Sequence, residues 1–101
     1  MSTQVKGYVV AQIEIHDHEL YSRDYIPHVA AVLAEFDGKY LVRGGSPQTL
    51  EGEDAPSRVI IMEFPSPEQA QAFWNSPKFR QLSEVRRQAT ISRIFLVEGA
   101  G

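Results

Sequence analysis

The 101-residue sequence contains no cysteine, and this absence removes several kinds of chemistry. Without cysteine the chain has no disulfide framework, no thiolate nucleophile and no cysteine ligands for zinc. We therefore expect a cytoplasmic protein in which arginine, carboxylate, tyrosine and histidine side chains carry any chemistry.

The sequence also lacks a long apolar segment and an excess of basic residues. No apolar run approaches the roughly 20 residues that a membrane-spanning helix needs, and the N-terminus lacks the apolar segment of a secretory signal. The 10 basic and 13 acidic residues give a formal net charge of −3, which argues against general nucleic-acid binding. The 43% of hydrophobic residues instead predicts one small globular domain over residues 1–101.

The first half of the chain predicts a strand followed by a helix. Residues 7–15 alternate so that one face of a strand is fully apolar. Asp17 is a suitable N-cap for a helix whose apolar stripe continues to Phe36. Pro27 removes one backbone donor inside this pattern, so we expect a kink or break there, and Gly38 is expected to supply the left-handed stop.

The second half predicts a hairpin and then a helix and a strand. Residues 40–43 form a short strand that ends at Gly44 and Gly45, where we expect a bulge or a close backbone approach, and residues 48–51 are candidates to resume it. Residues 58–64 are β-branched and apolar, as in the returning strand of a hairpin.

Two Ser-Pro pairs mark the starts of helical segments in this half. Ser66 begins a capping box, and Ser76 begins a segment that runs to about Ala89, before a last strand over residues 91–98. The order strand, helix, strand, strand, helix, strand predicts an α+β fold of the ferredoxin-like βαββαβ type. Its four-stranded antiparallel sheet would have helices on one face.

Apolar residues also occur on the sheet face that helices cannot cover. A solvated face of an antiparallel sheet is normally polar, so this composition predicts burial against a second sheet. The simplest source is an identical chain, and we expect a homodimer. The residues assigned to this second face are Tyr8, Val10, Val59, Ile61, Ile94 and Leu96, with Gln12, Glu14 and Glu63 at its polar end.

Arg86 falls within the buried stripe that Phe79, Leu82 and Ala89 define. A buried guanidinium needs an anionic partner, because an unpaired buried charge is costly. That partner is either a carboxylate of the protein, in an internal ion pair, or an anionic ligand. A third alternative is a structural arginine whose long aliphatic stem packs under its charged head.

Other polar residues are candidates for a ligand pocket. Arg43 and Glu63 are expected on one sheet face, either as a salt bridge or as the polar end of an apolar cavity. Tyr25, His28 and Trp74 would line such a cavity from the helices, and His28 is either a proton acceptor near neutral pH or a packing residue. His16 and His18 lack convincing further ligands, so we expect no metal site.

Four motifs together resemble a known family. The chain resembles the small bacterial proteins of the domain of unknown function 1330 family, within the dimeric α/β-barrel superfamily. The motifs are Tyr-Leu-Val-Arg-Gly-Gly at 40–45, Leu-Glu-Gly at 50–52, Arg-Val-Ile-Ile-Met-Glu-Phe-Pro-Ser at 58–66 and Ala-Phe-Trp-Asn-Ser-Pro at 72–77. The family positions that match are Tyr25, Gly38, Arg43, Gly45, Glu51, Gly52, Arg58, Glu63, Pro65, Trp74, Pro77 and Arg86.

The resemblance implies a ferredoxin-like subunit whose sheet packs against that of a second copy. Superfamily relatives include cofactor-independent monooxygenases, isomerases, haem enzymes and non-catalytic ligand sensors, so the fold alone does not select an activity. At position 79, where the family commonly has tyrosine, this chain has Phe79.

The sequence therefore supports two functional hypotheses. In the first, the protein is a monooxygenase- or isomerase-like enzyme without a bound cofactor that acts on a small aromatic or carboxylated metabolite. Arg86 or Arg43 would hold an anionic group, Tyr25 and Trp74 would form an apolar wall, and His28 or Glu63 would move a proton. The alternative is a non-catalytic binding or sensor module with the same pocket.

Overall fold

The structure is a computed structural model that describes residues 5–100. The elements are β1 (Gly7–Ile15), α1 (His18–Leu20), a π-helical segment (Tyr21–Tyr25), α2 (Ile26–Glu35), β2 (Lys39–Gly44), β3 (Arg58–Phe64), α3 (Pro67–Asn75), α4 (Pro77–Ala89) and β4 (Thr90–Glu98). All strand pairs are antiparallel, in the order β2-β3-β1-β4, which confirms the predicted ferredoxin-like sheet. Within the described part of the chain, no helix is both long and apolar enough to cross a membrane.

The first helical region begins and breaks near the predicted residues. The Asp17 carboxylate accepts a hydrogen bond from the Leu20 amide at 3.0 Å, as an N-cap does. The π-helical segment ends immediately before α2, where the Ile26 amide donates to the Tyr21 carbonyl, and Pro27 is the second residue of α2. The irregularity thus lies just before the proline, whereas the prediction placed it at the proline.

The end of α2 differs from the prediction for Gly38. The left-handed residue is Asp37, with φ of 59°. The Gly38 amide donates to the Leu33 carbonyl and the Asp37 amide to the Ala34 carbonyl, which is the Schellman arrangement. Gly38 is required for space instead, because a Cβ there would lie 2.5 Å from the Leu33 side chain and 2.6 Å from the Phe64 ring.

A β-bulge in β2 sits earlier than the glycine pair at which we expected an irregularity. Tyr40 lies opposite Met62, whereas Val42 lies opposite Ile61, so Leu41 is an extra residue in the strand. Because side chains alternate along a strand, one extra residue moves every later side chain to the other face.

This bulge overturns the predicted position of Arg43. Arg43 lies opposite Ile60, on the face that packs against the helices, whereas Glu63 lies on the other face. The two residues therefore do not share a face. Residues 48–51 also form no strand.

Both predicted serine caps of the later helices are present. The Ser66 hydroxyl accepts from the Gln69 amide at 3.1 Å, and the Ser76 hydroxyl accepts from the Phe79 amide at 3.3 Å. These helices close a core in which the rings of Phe73 and Phe79 lie 4.3 Å apart. The buried residues of the sheet that face this core are Val9, Ala11, Ile13, Ile60, Met62 and Phe64.

The other sheet face, which we call the open face, is apolar at its centre. Val10 lies between Ile61 on β3 and Phe95 on β4. The prediction that Ile94 and Leu96 lie on this face is wrong. Because β4 is apolar on both faces, the alternation of its residues does not show which face meets the helices. The pairing turns Ile94 and Leu96 towards the helices and leaves Phe95 42% and Ile91 73% exposed.

Candidate functional site

Arg86 lies on α4 and is only 4% exposed, as its place in the buried stripe predicted. Its Nη1 donates a hydrogen bond to the Ser83 hydroxyl, one turn earlier, at 3.1 Å. Its carbonyl accepts from the Thr90 hydroxyl at 2.8 Å, at the junction with β4. The helix and the following strand therefore hold this residue from both ends.

Arg86 has no carboxylate partner within residues 5–100, since none of the ion pairs found there includes it. Its Nε is buried and forms no hydrogen bond. The adjacent Arg87 is exposed and pairs with Glu84. The internal ion pair that was one of the alternatives for Arg86 is thus not observed in the described residues.

Aromatic rings surround the Arg86 guanidinium instead. Its central carbon lies 5.2 Å from the centroid of the Trp74 ring and 5.9 Å from that of Phe79. Trp74 is half-buried, and a cleft of about 320 Å³ opens beside it, lined also by Arg86, Arg87, Thr90, Ser92 and Ile94. The positive charge is therefore placed at the boundary between the aromatic core and an open cleft.

Tyr25 is part of the same cluster and is 5% exposed. Its ring stacks on Tyr21 with centroids 5.2 Å apart and lies 6.5 Å from the Phe79 ring. Burial raises the pKa of Tyr25 to about 12, although the positive charge of Arg86 acts in the opposite direction. At neutral pH this phenol is protonated, so it does not act as a base.

Arg43 lies away from this cluster. It is exposed on the edge strand β2, whereas the Arg86 cleft borders the opposite edge strand β4. Its guanidinium carbon lies 4.7 Å from the centroid of the Tyr40 ring.

The two residues predicted to move protons also lie elsewhere. His28 is exposed on α2. Glu63 lies on the open face, where its carboxylate is 3.4 Å from the ammonium groups of Lys6 and Lys39 and accepts from the Tyr8 hydroxyl at 3.0 Å. Although partial burial raises the pKa of Glu63, these hydrogen bonds and positive charges outweigh it, and the net pKa is lowered. The predicted salt bridge to Arg43 is wrong, because lysines provide the partners.

The structure reveals a second pair of polar residues that the sequence predictions did not include. Tyr21 belongs to the predicted apolar stripe that continues to Phe36, and Arg58 is a predicted strand residue and a matching family position, but neither was predicted to bind a ligand. The Tyr21 hydroxyl and the Arg58 Nε are both buried without a hydrogen-bond partner, and the Arg58 guanidinium carbon lies 5.7 Å from the Tyr21 ring centroid. A tyrosine in a buried stripe was the available signal, because buried phenols normally find a partner.

Comparison with protein families identifies the chain. A family model described as domain of unknown function (DUF1330) matches residues 6–100. The chain belongs to this family. Comparison with curated proteins finds no match for this DUF1330 chain.

Solved structures share the fold of this DUF1330 protein. A protein of unknown function from Rhodopseudomonas palustris has a TM-score of 0.77 at 18% sequence identity, with 98% of this chain and 85% of that chain covered. SnoaB, a cofactor-independent oxygenase from Streptomyces nogalater, has a TM-score of 0.58 at 14% identity, with coverage of 98% and 96%. Similarity at these identities shows a common fold only.

The arrangement in the DUF1330 chain determines what the Arg86 cleft can do. A guanidinium and an indole N–H donate hydrogen bonds and accept none. The cleft can thus bind and stabilise negative charge beside an aromatic wall.

Proposed function

We propose that this protein binds a small aromatic carboxylate in the cleft between α3, α4 and β4. This proposal rests on the surroundings of Arg86, which is only 4% exposed. It lacks a carboxylate partner within residues 5–100, and its Nε is buried without a hydrogen-bond partner. A carboxylate would supply the missing negative charge and accept that donor.

The walls of the cleft support an aromatic or other apolar ligand body. Trp74 offers the side of a large ring, and Ile94 contributes apolar surface from the sheet. Small-ligand sites commonly combine apolar walls with a few polar groups that fix orientation. Of the two arginines predicted to hold an anion, the geometry supports Arg86 over Arg43, which is exposed at the other edge of the sheet.

The same geometry favours binding without catalysis over an enzymatic role. Proton transfer requires an acceptor within hydrogen-bond reach of the ligand, and His28 and Glu63 both lie outside this cleft. The ligand-binding or sensor hypothesis is therefore preferred. The second hypothesis is an enzyme, such as the cofactor-independent oxygenase that SnoaB is. Conversion of the ligand into a product would distinguish the two hypotheses.

We also propose that two copies form the working unit through their open faces. Val10, Ile61 and Phe95 form an apolar centre on each open face, and Glu14, Glu63 and Arg93 provide charged residues around it. This pattern of apolar centre and charged rim fits an isologous contact between identical sheets.

The experiment is a thermal-shift titration with benzoate on the full chain. We expect benzoate to raise the melting temperature of the wild type and of the control Arg80→Ala, a change to an exposed arginine of α4 that does not line this cleft, but not that of Arg86→Met. Benzoate stabilisation that survives in Arg86→Met would remove Arg86 from the site. NMR spectra of the ligands found in a wider carboxylate screen, taken after long incubation, would show new compounds if the protein is an enzyme.

A further inference from the structure

A second cleft of about 560 Å³ lies on the β2–β3 side of the structure. Tyr21 and Ile26 line it from the helical region, Ile15 from the end of β1, and Ser57 and Arg58 from the start of β3. It shares no lining residue with the Arg86 cleft. Any ligand in it would thus meet a separate set of side chains.

Two unpartnered polar groups belong to residues that line this second cleft. Tyr21 is 3% exposed, and its hydroxyl has no hydrogen-bond partner. The Arg58 Nε is likewise buried and unpartnered, and no ion pair within residues 5–100 includes Arg58. Arg58 as a whole is half-buried, so the cost lies in two unpartnered donors, the Tyr21 hydroxyl and the Arg58 Nε–H, and a ligand that accepts from both would recover it.

The backbone around Arg58 makes room for its guanidinium. Gly44 has a φ of 88°, and a Cβ at this position would lie 2.6 Å from the Arg58 Nη1. Any other residue at position 44 would be strained and would press on the guanidinium. Gly44 thereby lets the charged group lie against β2 beside the cleft.

The residue before Arg58 is fixed from the other side. The Ser57 amide donates to the Glu14 carboxylate at 2.9 Å, and the Ser57 hydroxyl donates to the same carboxylate. These bonds tie the end of the loop to β1, so that Arg58 enters β3 from a held position. The site is therefore positioned by the fold before any ligand binds.

We propose that Tyr21 and Arg58 form a second binding site, which takes a small aliphatic carboxylate. Arg58 is the one arginine or lysine lining this cleft in the described residues, so its charge matches a monoanion better than a phosphate dianion. Ile15 and Ile26 provide the apolar surface for a short hydrocarbon chain. The Tyr21 hydroxyl donates a second hydrogen bond to the carboxylate.

The test is an NMR titration of the full chain with sodium butyrate. We expect saturable shifts of the Tyr21 and Ser57 amide signals, while the Trp74 indole signal reports separately on the Arg86 cleft. Arg58→Gln should abolish the saturable shifts. Tyr21→Phe, which removes only the hydroxyl, should weaken binding by about fivefold to tenfold. Arg43→Gln, a change to an exposed arginine on β2, is the matched control and should bind butyrate like the wild type.

Several results would overturn this proposal. These are the absence of saturable shifts up to about 50 mM butyrate, shifts confined to Trp74, and unchanged affinity in both Arg58→Gln and Tyr21→Phe. If Arg58→Gln does not fold, the isosteric Tyr21→Phe decides alone, and an unchanged affinity in that variant contradicts the site.

Discussion

The guanidinium carbon of Arg86 lies 5.2 Å from the centroid of the Trp74 ring, and no carboxylate within residues 5–100 pairs with this buried arginine. A cation–π contact of this kind stabilises by about 0.5–2 kcal/mol. Removing one charge from water costs several kcal/mol, so the ring does not offset the full cost of burial. The protein without ligand therefore carries a charge that lowers its own stability.

Replacing this charge by an apolar side chain of similar length should not destabilise the protein. We expect Arg86→Met to leave the free energy of unfolding unchanged or to raise it by up to about 2 kcal/mol, despite the loss of the bond to Ser83. Urea unfolding measures this. Arg87→Met, at an exposed position, should change stability by less than about 0.5 kcal/mol. A loss of 3 kcal/mol or more in Arg86→Met, which is about what breaking a buried ion pair costs, would show a structural role.

Tyr25 should make the protein sensitive to alkaline pH. Its pKa is about 12 in the folded state against an ordinary 10.0, so the folded protein holds this proton more tightly than the unfolded chain does. The resulting stability is complete below pH 10 and is lost as the pH rises through about 12. Unfolding measured between these values should depend less steeply on pH in Tyr25→Phe than in the wild type. Equal slopes would contradict the raised pKa.

Two substitutions at the end of α2 test whether Gly38 is required for space and Asp37 is the left-handed residue. Gly38→Ala should destabilise by about 1–3 kcal/mol, because the new methyl group meets Leu33 and Phe64. Asp37→Gly should stabilise by roughly 0.5–1 kcal/mol, since Asp37 holds the left-handed conformation that glycine adopts without strain. Thermal unfolding of both variants decides, and a harmless Gly38→Ala would indicate that Gly38 is not required for space.

The open face predicts a dimer that one charge should disrupt. Phe95 lies beside Val10 at the centre of this face, so Phe95→Glu would bury two carboxylates, one from each copy, in an apolar contact. We expect light scattering to give a dimer for the wild type and a monomer for Phe95→Glu. Glu98→Ala, a change to an exposed residue at the end of β4, is the control and should remain dimeric. A monomeric wild type at micromolar concentration would contradict the proposal.

Local signals in the sequence were sufficient for the order of the elements. Asp17, Ser66 and Ser76 each cap a helix as predicted, because a cap depends on residues within one turn of it. The burial of Arg86 also followed from its spacing to neighbours on the same helix. These features are encoded over a few residues.

Features that depend on pairing between distant segments were not predicted. The bulge at Leu41 has no glycine to mark it, and it alone moves Arg43 to the helix-facing side. The prediction assigned the residues of β4 to the wrong faces of the sheet, because both faces of this strand are apolar. The missing carboxylate beside Arg86 and the meeting of Tyr21 with Arg58 are tertiary relationships, which periodicity within one element does not report.

The most direct test of the central claim is to observe the Arg86 Nε–H during an NMR titration with benzoate. We expect this signal to shift and saturate together with that of the Trp74 indole N–H, because the benzoate carboxylate accepts a hydrogen bond from the free Arg86 Nε–H. Its assignment is secured by its loss in Arg86→Met. An Arg86 Nε–H signal that stays unchanged while benzoate saturates signals elsewhere on the protein would contradict the proposal that Arg86 binds the carboxylate.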